Sequence, residues 1–416
     1  MPVAFEPFSA QDREDPYPVY RRLRNEAPVH WAPESGLFCL SRHADVAGAL
    51  KDPQTFSSAA MNSVLSEMAP LGPRMVLGLL GFLLRARVNP FEMQRRGSMI
   101  AMDGARHDTL RRVVNRGFVP RRIAAWETRA RELVARAMGE LRPGRPFDVI
   151  EDLAIPLPVT IIAEMLGVDA SRRADFKRWS DIIIQVASGA SRGSSAKVGR
   201  QIHHFTDLYL YLQEQARLRR EAPADDLISL LVDPAQEETL DEIDVIQFVV
   251  LLLLAGNETT TNLIGNAVHA LLDRPEVAER VAGCPDDVPK LVEEAVRFDS
   301  PIQVVFRQTT RDVELHGTTL PADSVVALLL GSANRDERVF PDPDRFDVER
   351  DTRGHLGFGF GPHFCLGAAL ARLEARVALE AILPELSHCK RVGGTPPMVD
   401  SFLVRGRARL DLERGA

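Results

Sequence analysis

Apolar residues recur at helical spacing along most of this chain. Segments 11–24, 105–118, 121–142, 172–188 and 196–220 each carry an apolar stripe beside charged positions, which predicts amphipathic helices. The strongest signal is TLDEIDVIQFVVLLLLAGNETTTNLIGNAVHALLDRP, residues 239–275. Thr239 and Glu242 form a candidate capping box, and Asp273, Arg274 and Pro275 mark the end. About 34 residues at ~1.5 Å each give a helix of roughly 50 Å. It is apolar all round in its middle, so it is expected to run through the core of one large domain. Strands are few. Residues 37–41 and 325–330 read as strands, and HGTTLPADS at 316–324 reads as a hairpin. From 332 to 361 the chain is loop-like. No repeat and no Gly/Ser linker interrupts it. The expectation is a mainly α fold with small β-sheets, a single domain over 1–416. Residues 59–97, rich in Met, Leu and Phe, would form a lid, with the apolar run 75–84 as a pocket wall or a packed helix.

Composition narrows the class. The 416 residues are 45% hydrophobic and 26% charged, ordinary for a globular protein with a large core. A net charge of −7 gives no reason to expect a nucleic-acid partner. The first residues lack the apolar core of a signal peptide. Run 75–84 is about half the ~20 residues a membrane span needs. No membrane span and a soluble, cytoplasmic protein are therefore expected. The four cysteines, Cys39, Cys284, Cys365 and Cys389, lie far apart and form no CxxC pair. That argues against a zinc site or a disulfide scaffold and fits a reducing compartment.

Cys365 stands in an unusual stretch, FGFGPHFCLG, at 358–367. Glycines at 357, 359 and 361 permit positive φ and close backbone approach, and Pro362 stiffens the turn. LGAALARLEARVALEAIL follows and is a strong helix former. The thiol thus sits at a helix N-terminus, which favours a thiolate. Such a thiolate serves as nucleophile or as metal ligand. His363 is two residues away, but no third group orients it as a cysteine hydrolase requires. By itself the stretch also allows a structural cysteine.

Four motifs in order decide the matter. FGFGPHFCLG, AGNETT at 255–260, EEAVR at 293–297 with PDRF at 343–346, and DGARHDTLRR at 103–112 together resemble the cytochrome P-450 family of haem-thiolate monooxygenases. The resemblance spans nearly the whole chain. It implies the family's fold, with a long central helix over the haem, and haem b as cofactor. Cys365 would be the axial thiolate, which favours O–O cleavage. Phe358 would pack near the sulfur, and Gly367 would allow close approach of the porphyrin. Within AGNETT, Ala255 would border the haem and Thr259 would donate a hydrogen bond to dioxygen. Glu258, where the family often has aspartate, would relay protons. Glu294, Arg297 and Arg345 would form a buried structural triad behind the cysteine loop. His107, Arg111, Arg307 and His363 would hold the haem propionates. His355 matches the leading histidine of the motif and receives no contact.

The implied reaction inserts one oxygen atom from dioxygen into a hydrophobic small molecule, of fatty acid, terpenoid, steroid or polyketide class. Expected substrate contacts are Val250, Leu251, Leu254, Ile302, Val305, Phe402 and Leu403. No flavin or iron–sulfur motif is present, so electrons from NAD(P)H must arrive through a ferredoxin or flavodoxin with its reductase. Arg112, Arg116 and Arg372 are candidates for docking that acidic partner, and a monomer is expected. Two other readings stand beside this one: a peroxide-driven haem-thiolate enzyme and a non-enzymatic haem protein. AGNETT, with its acid and alcohol, weighs against both.

Overall fold

The protein is described by a computed structural model covering residues 3–9, 11, 14–61, 73–89, 91–92, 96–187, 195–236 and 238–415. Helices dominate it, and the chain divides into two units. The first holds Met1–Met61, Ile123–Pro158 and Thr259–Ala416; the second holds Asn62–Arg122 and Val159–Glu258.

In the first unit a five-stranded sheet runs in the order Val29–Ala32, Leu37–Leu40, Val325–Leu329, Val304–Thr309, Phe56–Ser57. Leu37–Leu40 pairs parallel with Val325–Leu329, and the other pairings are antiparallel. Leu40, Val46, Leu50, Val326 and Leu328 form the core on this sheet. The hairpin forms a few residues earlier than its sequence suggests. Val313–Leu315 pairs with Thr318–Leu320. His316 (φ +50°) and Gly317 (φ +75°) make the turn. A two-residue hairpin turn of this type needs two positive φ angles, which His316 and Gly317 supply. Residues 332–361 are loop apart from the end of the short helix Leu330–Ala333 and the first residue of the turn Gly361–His363.

In the second unit Pro73–Ala86 packs along Ser195–Glu221. Phe82 is buried against Phe205 and Tyr209, with ring centroids 5.5 and 5.2 Å away. Gly78 permits the contact, since a Cβ there would sit 2.5 Å from Ile202. The run 75–84 is therefore a packed helix, with Leu80 and Leu84 on its exposed side. Much of the remaining lid expectation, at 62–72, 90 and 93–95, lies outside the described residues.

The predicted long helix spans Glu242–Leu272, 31 residues or about 46 Å, and contributes to both units. Its cap is Asp241 rather than Thr239. The Asp241 carboxylate accepts from the Asp244 N–H at 3.0 Å, because the first turn begins at Glu242, three residues after Thr239. Among the described residues it is the one helix apolar and long enough to cross a membrane by length and composition. Its polar residues nevertheless bond to protein. Asn257 donates to Ser180 Oγ at 2.6 Å, Thr261 to the Ala154 carbonyl at 3.1 Å, and Asn266 to the Asp299 and Arg405 carbonyls at 3.0 Å each. Those bonds belong to a helix lodged in a protein core.

Candidate active site

The cysteine loop is held by close backbone packing. A Cβ at Gly357 would fall 2.3 Å from Val296 Cγ1 and 2.9 Å from the Val296 carbonyl oxygen. At Gly361 (φ +72°) it would fall 2.7 Å from the Leu50 carbonyl oxygen. Neither position accepts a side chain without moving backbone. Within this frame the Cys365 N–H donates to the Phe358 carbonyl at 2.8 Å, and helix Ala368–Leu386 starts three residues later. Cys365 is half-buried, whereas Cys39 and Cys389 are buried and Cys284 is exposed. A Cβ at Gly367 would meet no atom of the described residues beyond its chain neighbours within 4 Å.

Behind the loop the Glu294–Arg297 pair is fully buried. Arg297 donates twice to Glu294, each at 2.7 Å, and to the carbonyls of Asn334 (2.9 Å) and Pro343 (3.0 Å). The Asp347 N–H adds a bond to Glu294 at 2.8 Å. Arg345, the expected third member, is not part of this cluster through its side chain, which is 73% exposed. Only its carbonyl accepts from Arg297, at 3.4 Å. Arg350 takes the place, with Nε 3.5 Å from Glu294 and its side chain buried. The alternation of the segment explains the exchange. Phe346 and Val348 point into the core, so Arg345 points out.

A second cluster was not legible. Glu293 accepts from Arg372 at 2.5 and 2.9 Å and bonds His355 at 3.0 Å. The Arg372 guanidinium lies 4.3 Å over the Phe358 ring. Burial pushes the Glu293 carboxyl up, but the bonds from His355 and Arg372 outweigh it and hold it down at about 2. His355 thus has a partner. Arg372 carries a charge already neutralised within the chain. The other expected docking cations are also engaged, Arg112 with the Glu238 carboxylate and Arg116 with the Glu238 carbonyl.

The expected propionate ligands divide between the units. In the first, Arg307 is buried and donates to the Phe306 carbonyl, and His363 Nε2 lies 3.0 Å from Ser58 Oγ. In the second, His107 is buried with Nδ1 3.0 Å from Asp108, and Arg111 follows one turn later, half-buried.

On the long helix, Val250, Leu251, Leu254, Ala255, Glu258 and Thr259 form an accessible stripe between buried faces. Their spacing, 250/251, 254/255 and 258/259, is one helix face. Burial alone pushes the Glu258 carboxyl up to about 7. Gly256 is a packing requirement: a Cβ would sit 2.7 Å from Ile162 Cδ1. The other expected substrate contacts are in the first unit. Ile302 bridges Val404, the Gln303 N–H donates to the Leu403 carbonyl, and Val305 packs on the sheet core. Phe402 stacks edge-on against Phe8 at 4.8 Å.

Glu374 is the remaining surprise. It is fully buried in helix Ala368–Leu386, its Oε1 has no hydrogen-bond partner among the described residues, and burial pushes its carboxyl up to about 8. The folded-state value exceeds the unfolded one, so its contribution to stability is complete below the unfolded value near 4.5 and is lost as pH rises through about 8. Glu374→Gln is expected to flatten this slope and to stabilise the protein by about 1–3 kcal/mol at pH 8. Urea denaturation across pH 5–8 checks it; an unchanged slope would show that another group sets it.

The donor set fits a haem. A half-buried thiol follows a glycine-braced turn, Gly367 leaves room beside it in sequence, Arg307 offers a buried cation, and the helix stripe is apolar with one acid and one alcohol.

Comparison with known proteins agrees. The Cytochrome P-450 family model matches residues 288–412. Cytochrome P-450 109 of Bacillus spizizenii is 38% identical over 389 residues, 92% of this chain and 87% of the relative. Vitamin D(3) 25-hydroxylase of Pseudonocardia autotrophica is 35% identical over 98% of this chain and 96% of its own. The structure of CYP109Q5 from Chondromyces apiculatus matches with a TM-score of 0.87 at 38% identity, covering 100% of this chain and 99% of that one. CYP109E1 of Bacillus megaterium, in complex with corticosterone, matches with a TM-score of 0.82 at 30% identity, covering 98% and 100%. With the cysteine loop, the buried Glu294–Arg297 pair and relatives matched over nearly their whole length, this chain belongs to the cytochrome P-450 family and is a haem-thiolate monooxygenase acting on small hydrophobic molecules.

Proposed function

We propose that the cofactor is haem b, with Cys365 as its thiolate ligand, Phe358, Gly367 and Ala255 along it, and His107, Arg111, Arg307 and His363 on its propionates. The haem, when bound, supplies dioxygen activation at a thiolate-ligated iron. The chain's own residues supply the protons and the substrate surface. Glu258 can hold or release a proton near neutral pH because burial brings its carboxyl to about 7. Thr259, the next residue on the same stripe, carries a hydroxyl that both accepts and donates. Together they form a relay from solvent to the reacting oxygen. Val250, Leu251 and Leu254 give that site apolar walls, with Ile302, Val305, Phe402 and Leu403 as further contacts.

The observation that carries this reading is the acid–alcohol pair on an otherwise apolar stripe. Thr259→Ala is expected to cut product formed per NAD(P)H consumed by about tenfold or more, with hydrogen peroxide appearing instead. Unchanged coupling would sink the role. Glu258 supports a matching pH effect. As a proton donor it should give activity that falls as pH rises through about 7, and Glu258→Gln should be slow with that limb absent. A variant that keeps the limb would assign it to another group.

The substrate we propose is a steroid or secosteroid, with fatty acid, terpenoid and polyketide as the wider class. Support comes from the vitamin D(3) 25-hydroxylase and from the corticosterone-bound CYP109E1. Titration of the visible spectrum with such compounds tests it. Electrons would come from NAD(P)H through a ferredoxin or flavodoxin and its reductase, docking near Arg112, Arg116 and Arg372. A cytoplasmic monomer in which the whole chain serves one domain completes the proposal.

A further inference from the structure

A cleft of about 390 Å³ opens in the first unit, lined by residues outside the haem and substrate machinery. That volume lies in the lower part of the range of roughly 300–1,000 Å³ typical of small-molecule sites. Most charges around it cancel. Arg405 pairs with Asp299 at 2.6 Å, Arg335 with Asp344 at 2.9 Å, and Arg21 also reaches Asp344. Asp273 is engaged by Arg391 at 2.8 Å, and Asp15 stands exposed at the rim.

Two guanidinium groups are left over. Arg407 is only 8% exposed; among the described residues no carboxylate is within ion-pair distance, and Asp299 and Asp273 act on it only from farther away. Among the described residues its single side-chain hydrogen bond runs from Nη1 to the Pro396 carbonyl at 3.4 Å, and its buried Nε has no acceptor. Arg274 stacks over Phe298 at 5.1 Å and donates to the Ala270 carbonyl, and among the described residues it too has no carboxylate at ion-pair distance. His269, beside them, is pushed down to about 4 by burial and by Arg407 and Arg391, so it is neutral at pH 7. Asn266 Oδ1 is buried there with no donor among the described residues.

A buried cation without a counter-charge is costly, and proteins normally pair it. A guanidinium fork matches two oxygens of a phosphate, and a phosphate also carries a hydroxyl when singly protonated. Such a ligand supplies the acceptors that Arg407 lacks. We propose that this cleft binds a small phosphomonoester, gripped by Arg407 and Arg274. The volume favours an ester over free phosphate, since the ion alone would leave most of the cleft to water.

The test is thermal unfolding of the full-length, haem-loaded protein titrated with glycerol 3-phosphate, inorganic phosphate and sodium chloride at matched ionic strength. The expected result is a saturable rise in Tm with glycerol 3-phosphate, weaker with inorganic phosphate and absent with chloride. Arg407→Gln should abolish the rise while keeping the Tm measured without phosphate, because it removes a buried charge that makes no close ion pair among the described residues. Arg274→Gln, at the cleft's half-buried side, should weaken binding about tenfold and keeps the test decisive if the first variant folds poorly. Free phosphate binding as tightly as the ester would overturn the assignment to an ester. No saturable rise, or an equal rise in both variants, would overturn the site.

Discussion

Replacing Cys365 with alanine is expected to abolish the red-shifted Soret band of the reduced, carbon-monoxide-treated protein, together with all product formation. No other thiol of the chain can stand in. Cys39 is fully buried in the sheet, and burial, with Glu6 nearby, pushes its thiol far above the usual range. Cys389 is buried in a strand, and burial, with Glu385 nearby, raises its thiol too. Cys284 is exposed before a short helical turn and lacks the braced loop. Only Cys365 combines access, a backbone bond to Phe358 and a helix start that favours a thiolate. Visible spectra of wild type and variant decide it. A band of the same type in the variant, or a histidine-type band in the wild type, would remove Cys365 as ligand and the proposed roles of Glu258 and Thr259 with it.

The motifs were legible because their chemistry demands rare residue combinations. A glycine-rich turn around one cysteine, and an acid beside an alcohol in an apolar helix, have few competing explanations. The long helix was legible because 31 residues run without a proline and are dominated by apolar residues on either side of AGNETT. Its cap was not, since Thr239 and Asp241 both precede a helical pattern and the choice depends on where the first turn closes. Arg345 and Arg350 show the same limit at the site. Both lie near Glu294 along the chain's path, and sequence spacing cannot say which one turns inward. The alternation of Phe346 and Val348 could have given the answer, because Arg345 stands out of phase with them. The Glu293–His355–Arg372 cluster joins three distant segments and leaves no local pattern. Glu374 left a weak one: it sits on the apolar face with Leu370, Val377 and Ala378, where an acid is out of place.

The exchange of Arg345 for Arg350 makes the second large prediction. Arg297→Ala is expected to destabilise the protein by roughly 3–5 kcal/mol, because it leaves the Glu294 carboxylate buried without its main partner. Two hydrogen bonds to carboxylate oxygens and two to the carbonyls of Asn334 and Pro343 go with it. Arg345→Ala should change stability by no more than about 0.5 kcal/mol, since its exposed side chain makes only a 3.9 Å approach to Asp347. Arg350→Ala should fall between them. It removes a buried Nε 3.5 Å from Glu294, and donors to the Asp342 and Arg345 carbonyls. Urea denaturation of the three variants at pH 7, followed by far-ultraviolet circular dichroism, ranks them. The order Arg297, Arg350, Arg345 is the expected one. A loss at Arg345 equal to that at Arg297 would return Arg345 to the buried cluster and leave Arg350 a surface residue. A small loss at Arg297 would mean that Glu294 finds other donors or takes up a proton, and the cysteine loop would then owe its rigidity to the glycine contacts with Val296 and Leu50 instead.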